Sequence, residues 1–135
     1  MLERVDDTVL ASWQRLAGHV RNELVAAGLP VGVDGRVKDA GAVVDVDPFA
    51  DDSGGVWVYW QAHPTLSDAA ADAVQRGRLD DPAVQRLGAV AKIMQTALLA
   101  LLGGAGYQVE DPGHEYRPYH LRVVTESAVR QASRS

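Results

Sequence analysis

The feature that most limits how this chain can fold is a long helical signal that opens at Asp81-Pro82 and closes at Gly103-Gly104. Asp81 can accept hydrogen bonds from free N–H groups at the helix start, and Pro82 suits the first helical position, where no donor is needed. Beyond it the segment grows steadily more apolar and ends in Ala97-Leu98-Leu99-Ala100-Leu101-Leu102. The main stripe is Leu87, Val90, Met94, Leu98 and Leu101. A helix with so little polar face must be covered on most sides, by the rest of its own domain or by a second copy of the chain.

The remaining elements fall into place around it. A first helix is expected from about Asp7 to Ala27. Val9, Trp13, Leu16, Val20 and Leu24 form its apolar stripe, Asp6 or Asp7 caps it, and Gly28 ends it. The period is lost from Leu29 to Ala40, where Asp34-Gly35 could turn a short hairpin. Ala42–Asp47 and Val56–Trp60 read as strands joined by an exposed turn rich in Asp and Gly. Pro64 ends the second strand, Thr65-Leu66-Ser67-Asp68 reads as a capping box, and a short Ala-rich helix runs to about Arg76. Two further strands, Tyr107–Glu110 and Tyr119–Val124, are joined by a turn that starts at Asp111-Pro112-Gly113.

The order α-β-β-α-α-β-β implies an α+β two-layer domain, an antiparallel sheet of about four strands in two hairpins packed on three helices. Residues 1–125 form one domain, and the polar segment 126–135 is expected to fray. This order loosely resembles small secretion-chaperone-like folds, whose members bind other proteins. The resemblance rests on element order alone, and it implies a chaperone-like, protein-binding role.

Composition narrows the chemistry. The 135 residues include no cysteine, which removes disulfides, thiolate metal sites and thiol nucleophiles together. A formal net charge of −5 argues against nucleic acid as a partner, because such binding draws on Lys and Arg to neutralise phosphates. The acidic first residues show no secretory pattern, and the continuous apolar run Ala97–Leu102 is far short of the ~20 residues that span a bilayer. A cytoplasmic protein with no membrane partner is the expectation.

Three constellations could carry function. In His114-Glu115-Tyr116-Arg117-Pro118-Tyr119-His120, an imidazole could move protons beside a carboxylate. His114, Glu115 and His120 would be the catalytic set, with Tyr116 and Arg117 positioning a small polar ligand. The alternative for the same segment is an ordinary hairpin loop. The carboxylates Asp45, Asp47, Asp51 and Asp52 could attract Mg²⁺ or Ca²⁺, but their spacing fails the calcium-loop pattern, and aspartates in turns more often bond their own backbone. Finally, Trp57 and Tyr59 share one face of their strand while Val56, Val58 and Trp60 share the other, with His63 close behind. An aromatic strip left bare would recognise a peptide or a second subunit, whereas a loop folded over it would make it core.

No nucleophile elbow and no phosphate-binding loop is present. The reading is therefore a protein-binding or adaptor domain without catalytic activity or cofactor. It would use Trp57, Tyr59, His63, Tyr116 and Arg117 and self-associate as a homodimer. The alternative is a small-molecule enzyme or ligand-binding domain with its site at the second hairpin, His114 to His120.

Overall fold

The computed structural model describes residues 3–32, 39–51, 53–113 and 115–125. The expected Asp34-Gly35 hairpin, Asp52, His114 and the 126–135 tail lie outside them. The elements are α1 (Asp7–Ala26), β1 (Gly41–Asp47), β2 (Gly55–Gln61), α2 (Pro64–Gln75), α3 (Pro82–Gly104), β3 (Gln108–Glu110) and β4 (Leu121–Thr125). The four strands form one antiparallel sheet in the order β1-β2-β4-β3. This is the expected α+β architecture.

Local chemistry accounts for the element ends. Asp6 accepts from Val9 N at 2.9 Å to cap α1, and Gly28, at φ +94°, stops it. Asp81 accepts from Ala83 N at 2.8 Å at the start of α3. The second helix departs from expectation. It starts at Pro64, and its cap is the His63 imidazole, whose Nδ1 accepts from Thr65 N at 3.1 Å, so no capping box forms at Thr65–Asp68.

One face of the sheet carries Ala42, Val44, Val56, Val58, Leu121 and Val123, which pack on Leu16, Ala17, Val20 and Leu24 of α1 and on Leu98 and Leu102 of α3. Tyr107, expected at the start of a strand, precedes β3 and belongs to this core. The edge of β1 is protected from stray pairing. Gly32 N and Pro30 O bond the backbone of Ala42, and Arg21 of α1 donates to Val44 O at 3.1 Å.

The long helix is the main correction. Its ends are as expected, but the domain does not wrap it. Its C-terminal half lies on the sheet, and α2 packs on α3 through Ala70 and Ala73. Only 11 % of its most apolar 18-residue stretch is buried, and the fully buried side chains are Leu98 and Leu102. Leu101, assigned to the covered stripe, is 41 % exposed, and Ile93 is 64 % exposed. By length and composition alone α3 passes for a membrane span. However, Leu98 and Leu102 are held in the domain core, which fixes one end of the helix to the sheet.

Candidate functional site

The face of the sheet turned away from the helices gathers most of the residues singled out in the sequence. Register places Asp45 opposite Trp57 and Val43 opposite Tyr59, while Arg122 lies beside Trp57 on the other flank. The β3–β4 connection then brings Arg117 and His120 across this face. Arg117 binds Asp47 at 2.6 Å, and its guanidinium sits 4.7 Å from the centre of the Trp57 ring. His120 stacks on Tyr59 with centroids 3.9 Å apart and planes 7° from parallel. Arg122 also lies over the Trp57 ring, 5.4 Å from its centre, and pairs with Glu110.

Trp57 is consequently fully buried, its indole Nε1 donating to Ser53 O at 2.8 Å. The aromatic strip is thus not bare: among the described residues two arginines and a histidine cover it, while residues 33–38 of the 29–40 loop and the tail, the covers expected from sequence, lie outside those residues. Guanidinium groups suit this task because they lie flat on an aromatic face while keeping their N–H groups in plane for a carboxylate.

The electrostatics of this face follow from its partial closure. Burial raises the Asp45 carboxyl above its ordinary 3.8, against the lowering influence of Arg117, Arg21 and the hydrogen bond from Tyr59. The Tyr59 hydroxyl is raised above 10.0 by burial first and by the Asp45 charge second. Burial disfavours the charged form of both groups, and at Asp45 it outweighs the Tyr59 hydrogen bond, which favours the carboxylate.

The catalytic constellation does not assemble among the described residues. Arg117 and His120 turn inward, whereas Glu115 is exposed and Tyr116 is 82 % exposed. The strand begins at Leu121, so His120 belongs to the connection, and Tyr119 before it adopts φ +63°. The aspartates have separate duties as well. Asp45 takes the Tyr59 hydroxyl, Asp47 takes Arg117 and Phe49 N, and Asp51 takes Ser53 N and Oγ. No group of metal-ligating side chains occurs among the described residues. A shallow depression of about 220 Å³ lies between Trp13, Gly54, Gly55 and the Glu110–Arg122 pair, and none of the sequence's candidate residues lines it.

What periodicity missed is how much of α3 stays outside the core: Ile93 and Leu101 are exposed, and Val90 and Ala97 are half-buried, beside the buried row that ends in Leu98 and Leu102. Two adjacent apolar stripes are too wide for one contact face, and that width was the available signal. Leu99, 40 % exposed, adds to the apolar surface of the same helix.

Comparison with protein families, with curated proteins and with solved structures gives no match to this chain.

Proposed function

We propose that this chain is a small protein-binding or adaptor domain without catalytic activity, and that its partner-facing surface is the exposed side of α3. The observation that supports this reading is the mismatch between composition and burial on that helix. In a stretch with a mean hydropathy of 1.5, only 11 % of the residues are fully buried, and Ile93, Leu99 and Leu101 are exposed. Apolar surface gains roughly 25 cal/mol per Å² on leaving water, so such a face favours a partner that covers it. The aromatic sheet face, by contrast, is already occupied by Arg117, His120 and Arg122.

The test is a double substitution, Ile93→Glu with Leu101→Glu. The expected result is an intact helical circular-dichroism signal and a cooperative melt, because both side chains are exposed in the single chain, Ile93 at 64 % and Leu101 at 41 %. Loss of either signal would show that these residues hold the domain together and would overturn the reading. The melting temperature itself is no criterion, since losing a bound partner also lowers it.

A further inference from the structure

The β3–β4 connection reaches the sheet through one tight turn. His120 N donates to Arg117 O at 3.2 Å, which closes four residues, Arg117-Pro118-Tyr119-His120. Proline at the second position and φ +63° at the third describe a type II turn, whose third residue is usually glycine. Tyr119 holds that left-handed backbone with its own side chain 43 % exposed, and the conformation is strained for a bulky residue. The strain secures the placement of the first and last residues of the turn. Arg117 and His120 enter the sheet face together, one against Trp57 and the other on Tyr59.

We infer that the notch between Asp47 and Trp57 is a binding site for an arginine of a partner protein, and that the 117–120 turn is the chain's own plug in it. This surface goes beyond the α3 reading, since it lies on the side of the sheet turned away from the helices.

The notch has the chemistry of guanidinium recognition. Asp47 Oδ2 takes Arg117 at 2.6 Å, and the Trp57 ring centre lies 4.7 Å from the same guanidinium. A planar cation that bonds a carboxylate while lying over an indole suits arginine and suits lysine poorly. Both walls are fixed by contacts that do not involve Arg117. Asp47 Oδ1 accepts from Phe49 N at 3.1 Å, and Trp57 Nε1 donates to Ser53 O at 2.8 Å. The notch therefore keeps its shape when the turn leaves. Asp45, two residues along β1, also acts on the Arg117 charge, and the net charge of −5 favours a cationic partner.

The plug is releasable. It lies between β3 and β4, and the adjoining Glu115 and Tyr116 are exposed. An incoming arginine replaces the contacts of Arg117 in kind, while release frees Tyr119 from its left-handed conformation.

The experiment uses the full chain with Trp13→Phe and Trp60→Phe, which leave Trp57 as the reporter. The probe is acetyl-Arg-Pro-Tyr-His-amide, the sequence of the plug, and the control peptide carries Lys in place of Arg. Binding is followed by Trp57 fluorescence. Arg117→Ala should bind the arginine peptide at least tenfold more tightly than the lysine peptide. The chain that retains Arg117 should bind the arginine peptide saturably but at least tenfold more weakly than Arg117→Ala. Adding Asp47→Asn to Arg117→Ala should abolish the preference for arginine, because the amide oxygen still accepts from Phe49 N but carries no charge. Equal affinity for the two peptides, or a preference that survives Asp47→Asn, overturns the site. Equal affinity with and without Arg117 places the peptide elsewhere and overturns it too. If only Arg117→Ala binds, the turn is a permanent part of the fold and the partner site fails. Should Arg117→Ala not fold, Arg117→Lys takes its place, with the same ranking at a smaller factor. The α3 reading stands or falls by its own variants, which leave this notch intact.

Discussion

The imidazole of His120 lies flat on the phenol ring of Tyr59, 3.9 Å between centroids, although 60 residues of chain separate them before the β3–β4 connection folds back. Together with the Arg117–Asp47 pair, this stack pins the connection to the sheet. It closes a face that strand periodicity alone leaves open.

Arg117→Ala should loosen that closure. Its ion pair with Asp47 is largely shielded, with side chains 24 % and 13 % exposed. Removal leaves a carboxylate with one fewer partner and uncovers Trp57. A loss of about 1–3 kcal/mol in urea unfolding is expected, with faster acrylamide quenching of Trp57 when Trp13 and Trp60 are replaced by Phe. An unchanged quenching rate would mean that the guanidinium does not shield the indole.

Asp45 sets a pH dependence whose sign is fixed by burial. Its carboxyl is raised in the folded chain, so the fold holds the proton more tightly than the unfolded chain does. The stability it contributes is fully present below the unfolded value near 3.8 and is lost as pH rises through the folded value. Asp45→Asn cannot ionise and still accepts from Tyr59. Its urea midpoint should gain on the wild type between pH 4 and pH 7, whereas a constant difference would contradict the assignment.

Tyr59 acts in the same sense at the alkaline end. Its hydroxyl is raised above 10.0, so its contribution is present below that pH and is lost as pH rises through the folded value. Tyr59→Phe keeps the ring under His120 and should flatten the fall in stability above pH 10.

Two neighbouring leucines test the rotation of α3. Leu102→Ala empties a fully buried position and should cost about 2–5 kcal/mol. Leu101→Ala removes a 41 % exposed side chain, and under conditions where the chain is monomeric it should cost well under half as much. Equal losses would place both in the core.

Gly54 offers a steric control in the β1–β2 turn. A Cβ built there collides with the carbonyl oxygen of Phe49 and also approaches the Trp13 ring at 3.3 Å. Because the first obstacle is backbone, Gly54→Ala should destabilise by about 1–3 kcal/mol, as measured by the shift in thermal midpoint.

The local elements were legible because their signals are local. A cap such as Asp6 or Asp81, a stop such as Gly28 and a run of strand-forming Val, Trp and Tyr in β2 each act within a few residues, so the sequence displays them directly. His63 shows the limit, since the sequence places it near the aromatic strip and the structure uses it as a helix cap. That assignment depends on where the backbone turns, and Pro64 as the first helical residue decides it.

The sequence by itself determined the element order, the two-layer class and the surplus of apolar surface on α3, because periodicity and capping encode which face of each element must leave water. Tertiary structure alone decided that β4 inserts between β2 and β3, which carries Arg117 and His120 over Trp57 and Tyr59. It also decided which stripe of α3 the domain covers. Both outcomes depend on contacts between residues far apart in the chain. Two apolar stripes of similar composition look alike in sequence until the sheet occupies one of them and leaves the other outside the core.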